Sequence, residues 1–403
     1  MLSKIIRPGM LFRIDKIIEI SEKLEKIALK NVLVAIMFIV VLGLFVSCDE
    51  KTTTDPGNST DGNRSFALGF TDFPHALTLD AWAAAFAVIQ QDADMATMHF
   101  DDGVPWQAAF DGSPYPQNFL DELNGKAGAI PSGHLTYLAV TPIGFSRDKL
   151  ADNRGATGSE PLLPPWDTLT FDDEKVITAF INHCEKMITI YSPHYFAYAI
   201  EANMLIDLAP SKWNAFVTFA QSVYTNLKAN YPTLPIFLTL QAESFYNNLN
   251  GQTSGINQIL PYTDYIAVSS YPYIIQSDPY LLADDYFTEL ANLAPNKPFA
   301  IAETAWPAED VTAPYPVLIP ATEATQQAYL ERLLADSDSL SAAFVCWFFT
   351  RDFDDFWESD LKFNAAAPTI RLWKDTGLYD GQGNARPALT TWREYLDLQH
   401  ESK

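Results

Sequence analysis

Two glutamates stand where an apolar run would be expected to continue. Glu201 in FAYAIEANM and Glu303 in FAIAETAWP each end a stretch of small and apolar residues suited to a protein interior. A carboxylate in such a setting is either desolvated, which raises its pKa, or held by partners that keep it charged. Two carboxylates with opposite settings supply a general acid and a nucleophile. In glycoside hydrolysis with retention such a pair sits roughly 5 to 5.5 Å apart, one attacking the anomeric carbon while the other protonates the leaving oxygen. The chain has no C-x-x-C, no H-E-x-x-H and no histidine cluster, so no metal and no cofactor is expected.

The two glutamates can cooperate only if the fold brings their segments together. From residue 64 onward, short apolar segments bounded by turn residues alternate with longer ones of helical period. The short segments are residues 66–70, 96–100, 135–140, 196–200, 235–240, 265–270, 299–303 and 343–349. Their apolarity is continuous rather than alternating, which marks strands buried on both faces. Between them, Val176, Ile177, Phe180, Ile181, Cys184, Met187 and Ile188 follow the i, i+3, i+4 rule, with Asp172, Asp173 and Glu174 at the positive end of that helix. Trp213, Phe216, Val217, Ala220, Val223, Tyr224 and Leu227 do the same after Ser211, read as a cap. Eight strands each followed by helix predict an α/β fold, a (β/α)8 TIM barrel, with residues 64–403 as one domain.

Such a barrel places its chemistry at the C-terminal ends of the strands. The segments end on Asp72, on Asp101, Asp102 and Trp106, on Glu201 and Asn203, on Gln241 and Glu243, on Tyr271 and Tyr273, on Glu303 and Trp306, and on Trp347 and Arg351. Aromatic faces mixed with carboxylates and amides suit a polyhydroxylated ring, which has an apolar side and hydroxyls around it.

Glutamates ending strands 4 and 7 of an eightfold barrel define glycoside hydrolase clan A, and at this point the sequence resembles that clan. AETAWP is similar to its nucleophile segment, commonly E-T-G-W-P in the endo-acting galactanase and β-glucanase members, with Ala305 in place of the glycine. SSYPY at 269–273 is similar to the strand 6 segment that carries a site tyrosine, Trp347 matches the aromatic platform of strand 8, and residues 378–396 look like a common ending of these barrels. The resemblance implies Glu303 as nucleophile, Glu201 as acid/base and Tyr271 as the partner that orients Glu303. It also implies a β-linked polysaccharide or oligosaccharide as substrate, with galactan-like chains one candidate. One departure matters. The clan has asparagine immediately before the acid/base glutamate, where it binds the sugar 2-hydroxyl, and here that place is taken by Ile200, with Asn203 two residues beyond Glu201.

Ordinary readings stand beside these. Trp306, Trp347 and Tyr271 equally read as packing aromatics, and Glu243 as a solvated rim residue. Asp101 and Asp102 read as helix caps or loop charges, Arg351 as an ion-pair partner of Asp352, Asp354 or Asp355, and His99 and His194 as satisfied histidines. Ile200 favours a second class of function, a barrel without catalysis that binds glycans.

Before the barrel, residues 32–47 form an uncharged apolar run that ends at Cys48, and residues 49–63 are polar and turn-rich. The run is short for a spanning helix and suits a signal peptide. It resembles a bacterial lipoprotein signal over residues 1–48, with Cys48 the lipidated residue and the mature chain exported and anchored to a membrane on its periplasmic or cell-surface side. Removing 1–48 takes seven basic and four acidic residues from a chain of net charge −24 and leaves −27. That balance argues against nucleic acid as a partner and fits a neutral carbohydrate. A monomer is expected. Cys184 and Cys346 read as two separate core residues rather than a disulfide.

Overall fold

A computed structural model of the chain describes residues 62–156, 158–363 and 367–401. The apolar run and Cys48 lie outside the described residues, and no described helix is long and apolar enough to cross a membrane. Eight strands form one closed ring: β1 (Ala67–Thr71), β2 (Met95–Phe100), β3 (Leu135–Val140), β4 (Tyr195–Ala199), β5 (Ile236–Gln241), β6 (Ile266–Ser270), β7 (Phe299–Thr304) and β8 (Phe344–Trp347). Each pairs in parallel with the next, and β8 pairs with β1 through Phe344 opposite Ala67 and Trp347 opposite Phe70. A helix of the outer layer follows each strand, with shorter helical turns in several of the connections: α1 (Leu79–Asp92), α2 (Gln117–Ala129), α3 (Glu174–Tyr191), α4 (Trp213–Asn230), α5 (Leu249–Ile259), α6 (Tyr286–Ala291), α7 (Glu323–Ser339) and α8 (Pro387–Leu396). This is the (β/α)8 barrel that the alternation of segments predicts, with strand ends shifted by only one or two residues.

Two cores explain why the strand segments read as continuously apolar. One lies inside the ring, where Tyr137, Phe237 and Phe344 stack against one another among Ala67, Ala139, Ala197, Ala267, Ala300 and Ala302. The other lies between ring and helices and takes the alternate residues, among them Leu138, Phe196, Leu238, Val268, Ile301 and Val345. Large residues from a few strands are matched by alanines from the others, as the narrow interior of an eight-stranded ring requires.

The helices carry the expected stripes, with local differences. In α3 the buried residues Val176, Ala179, Phe180, His183, Cys184, Met187, Ile188 and Tyr191 face the ring, and Asp173 caps the helix by accepting from the Lys175 amide. In α4 the buried stripe is Trp213, Phe216, Phe219, Ala220, Val223 and Leu227; Val217 and Tyr224 only flank it. Ser211 is not the cap of α4. It lies in a short 3-10 turn, Pro210–Lys212, and Lys212 precedes the helix without a side-chain bond. Cys184 and Cys346 are buried and unpaired, as expected of core residues.

The ring is latched where its first and last repeats meet. Asn63 and Arg64 pair in parallel with Gln399 and His400. Asp92, at the end of α1, accepts from Arg393 Nε at 2.7 Å and Tyr379 Oη at 2.6 Å, while its carbonyl accepts from Trp392 Nε1 at 2.7 Å. The Asp92 side chain is almost fully buried, so its removal leaves buried donors unpaired. Asp92→Ala should lower unfolding stability by about 1–3 kcal/mol, measured by denaturant titration.

Candidate active site

Glu303 reaches the mouth of the barrel because β7 is irregular at its end. Ala300 and Ala302 point into the ring and Ile301 out of it, so strict alternation would turn Glu303 outward. The pairing of β7 with β6 shifts register between Ile301 and Glu303, and its pairing with β8 shifts between Ile301 and Thr304. A bulge of this kind re-aims a side chain. Thr304 then faces the helix layer, where its hydroxyl donates to the Ser270 carbonyl at 2.7 Å.

Tyr271 Oη donates to Glu303 Oε1, and His99 Nδ1 lies 3.5 Å from Oε2. Burial and then the charge of Glu201 push the Glu303 carboxyl up to about 8, against the opposing effects of the Tyr271 hydrogen bond and Arg147. Burial lowers the His99 pKa below 6.5, so at neutral pH this contact is to an uncharged imidazole rather than a salt bridge.

Tyr271 is held from behind by Glu243, a buried carboxylate whose Oε1 accepts from the Tyr271 amide at 2.7 Å, Ser270 Oγ at 3.1 Å and Tyr286 Oη at 2.8 Å. Gln241 donates to its Oε2 at 2.5 Å. Burial still outweighs these donors and raises the Glu243 carboxyl to about 7.

Glu201 follows a second irregularity, a register shift of β4 against β5 between Ala197 and Ala199. Ile200 packs into the core inside the ring, so it seals the barrel beneath the mouth and offers nothing to a sugar hydroxyl. Glu201 itself has φ +52°, its amide donates to Thr239 Oγ1 at 2.8 Å, and its Oε2 accepts from Arg147 Nε at 3.0 Å. Arg147 is buried and also makes a bidentate pair with Asp101, at 3.0 and 2.8 Å. Burial and Asp101 raise the Glu201 pKa, and Arg147 opposes them.

The structure thus gathers Glu201, Glu303 and Tyr271 with three residues not expected in the site from sequence, His99, Asp101 and Arg147. His99 occupies the last inward turn of β2 rather than a satisfied core position, whereas His194 accepts from the Thr136 amide at the start of β4. Arg147 comes from the long segment between β3 and α3, which carries a short antiparallel hairpin, Asn153–Gly155 against Gly158–Glu160.

An aromatic wall flanks Glu303. Tyr271 lies 5.8 Å from the Trp373 ring and 6.3 Å from Phe348, and Phe348 lies 6.4 Å from His99 and from Phe73. Phe73, Phe348 and Trp373 each keep part of their surface open.

Several residues expected at the rim are used for structure instead. Trp347 alternates with inward-facing Phe344 and Cys346, so it packs outside the ring, fully buried, and donates to the Thr376 carbonyl at 2.9 Å; Phe348 takes the mouth position. Trp106 is enclosed beside Trp166 and donates to the Ala151 carbonyl. Trp306 is enclosed against Tyr329, and Tyr273 donates to the Leu372 carbonyl at 3.0 Å. Asn203, fully buried, clips the β4 loop to β5 by accepting from the Gln241 amide and donating to the Gln241 carbonyl and Gln252. It does not replace the missing asparagine. Gln241 caps the turn that follows it through the Ser244 amide, and Asp72 pairs with Lys126 at 2.7 Å. Asp102 pairs with Arg154 at 3.0 Å, and Arg351 donates to the Gly381 carbonyl rather than to a neighbouring aspartate.

The carboxylates of Glu309, Asp352 and Asp375 converge closely enough to hold a cation. Arg386 already pairs with Asp352 and Glu309, and Arg371 and Lys374 with Asp375, so the cluster is neutralised from within.

No protein-family model and no curated protein matches the sequence. Solved structures do. The GH53 catalytic domain of Ignisphaera aggregans superposes with a TM-score of 0.52 at 18% identity, over 78% of this chain and 88% of that one. A GH5_18 protein of Bifidobacterium longum subsp. infantis gives 0.58 at 13% identity, over 84% and 80%. An exo-beta-1,4-mannosidase from Opitutaceae bacterium strain TAV5 gives 0.57 at 13% identity, over 82% of this chain and 59% of that one. At these identities the likeness is one of fold: the chain is a (β/α)8 barrel of the kind seen in glycoside hydrolases.

Proposed function

We propose that the chain is a retaining glycoside hydrolase for a neutral, β-linked oligosaccharide or polysaccharide. The observation that carries this reading is the convergence of Glu201 and Glu303, from the bulged ends of β4 and β7, beside a partly open aromatic wall. Glu303 attacks the anomeric carbon as the glycosidic C–O bond breaks, and the leaving oxygen takes a proton from Glu201. Water then attacks the glycosyl ester with Glu201 as base, which frees Glu303. Tyr271 steadies the attacking carboxylate through its hydrogen bond. Phe73, Phe348 and Trp373 offer the apolar face that a pyranose ring stacks on. Export and a lipid anchor at Cys48 belong to the same proposal and rest on the sequence alone.

A second reading, a barrel that binds glycans without cleaving them, is favoured by two features. Glu201 is paired with an arginine, and Ile200 cannot hold a 2-hydroxyl. Reducing-sugar release from a panel of plant and microbial polysaccharides separates the two. The enzyme reading predicts release by the wild type, reduced at least about 100-fold in Glu303→Gln and in Glu201→Gln. Full turnover by Glu303→Gln would sink it, and retention on a glycan affinity gel without any product would favour the second reading.

Burying Glu303 also has a stability cost with a defined pH window. Its folded pKa, about 8, lies above the ordinary 4.5, so its contribution to stability is fully present below about 4.5 and is lost as pH rises through 8. Glu303→Gln lacks that loss. Its melting temperature should match the wild type near pH 4.5 and exceed it by roughly 2–4 °C at pH 9. A difference independent of pH would contradict this placement of the carboxyl.

A further inference from the structure

We propose that Arg147, locked by Asp101, is a positioning residue that holds Glu201 as the ionised member of the glutamate pair and leaves the shared proton on Glu303. Arg147 spends its fork on Asp101 and aims Nε at Glu201 Oε2, so one rigid cation serves one carboxylate of the pair directly. Glu303 has a tyrosine hydroxyl and a neutral imidazole as its nearest polar partners.

The backbone points the same way. Arg147 at φ +54° and Glu201 at φ +52° both occupy the left-handed region that side chains rarely adopt. Among the described residues the other two non-glycine residues of this kind, Ser192 and Ser341, lie just past the ends of α3 and α7, where helices commonly turn out. Arg147 takes it in a hairpin turn, where its amide donates to the Gly144 carbonyl at 2.7 Å and Ile143 bridges Leu150; Glu201 takes it just past the end of β4, where its carboxylate is bonded to Arg147. Strain of this kind persists where the surrounding structure over-determines a functional geometry.

The groups facing each carboxylate come from several elements. Glu201 is met by Arg147 from the β3 loop, Asp101 from β2, Tyr271 from β6 and Glu303 from β7. Glu303 is met by Tyr271 and Tyr273 from β6, His99 from β2, Tyr137 from β3 and Cys346 from β8, and the charges of Glu201, Arg147 and Asp101 also act on it. Among these only Arg147 is a cation at neutral pH, and it bonds Glu201. Burial and the negative charge of Glu201 act together on Glu303, which is driven up to about 8.

The consequence for catalysis rests on the glycosidase reading above. For Glu303 to attack, its proton must first pass to Glu201, where the leaving oxygen can take it. Arg147 opposes that transfer, because it stabilises the charged form of Glu201. The location of the proton stands apart from turnover, and the test reads it directly.

The full chain, with glutamate ¹³C-labelled at the side-chain carboxyl carbon, is titrated by NMR in wild type, Glu201→Gln and Glu303→Gln, so that each missing signal identifies its residue. The two groups titrate as a coupled pair, and the comparison is of apparent midpoints. In wild type the Glu303 signal should titrate at the higher pH. Arg147→Met should raise the Glu201 midpoint by roughly one to three pH units. A Glu201 signal that titrates above Glu303 in wild type, or a Glu201 midpoint unmoved in a folded Arg147→Met, would overturn the proposal. The wild-type order decides alone if that variant does not fold. Absence of hydrolysis would leave this result intact and strike only the functional reading.

Discussion

Closure of eight parallel strands is the constraint on which everything else in this molecule depends. A closed ring has no free edge, and its interior is only wide enough for side chains, so inward positions along the strands must be filled by the alternating aromatic and alanine set around Tyr137, Phe237 and Phe344. Charged groups can be accommodated only where the strands end, whereas Thr97 inside the ring is satisfied by the Cys346 thiol. The two glutamates respect that rule, but neither arrives by simple alternation. Both strands that carry them shift register just before the carboxylate, β4 after Ala197 and β7 after Ile301. Both irregularities lie where the two carboxylates emerge.

Low solvent access then sets the electrostatics of the mouth. Burial raises both carboxyls, and each makes the other harder to ionise. The surrounding partners break the symmetry: an arginine braced by Asp101 on one side, a tyrosine hydroxyl braced through Glu243 on the other. Glu243 matters in this scheme without touching the mouth. It fixes the Tyr271 amide while the Tyr271 hydroxyl fixes Glu303.

Much of this was legible in the sequence. Eight apolar segments, each followed by helical periodicity, gave the barrel, and the abrupt carboxylates at 201 and 303 marked two of its ends. Tyr271 was legible from its place beside the sixth segment. What escaped were facts of register and of long-range contact. Trp347 reads as a rim aromatic when its apolar segment is taken to 349; the strand ends at 347, and alternation turns that tryptophan outward while Phe348 takes the mouth. Arg147 was invisible because its partners are 46 and 54 residues away and its loop has no apolar period to place it. Asn203 and Glu243 lie at the expected strand ends, but their polar groups turn back into the protein to tie one loop to the next, and the Trp306 ring is enclosed against Tyr329.

The central claim is that Glu303 is a nucleophile at the mouth of a sugar-cleaving barrel. Incubation with activated 2-deoxy-2-fluoro β-glycosides, followed by mass spectrometry of the digested protein, tests it most directly, because fluorine slows release of the glycosyl ester enough to trap it. A single adduct on the peptide containing Glu303, absent from Glu303→Gln, is the result this account predicts. An adduct on Glu201, or none with any glycoside that the wild type is seen to hydrolyse, would contradict it.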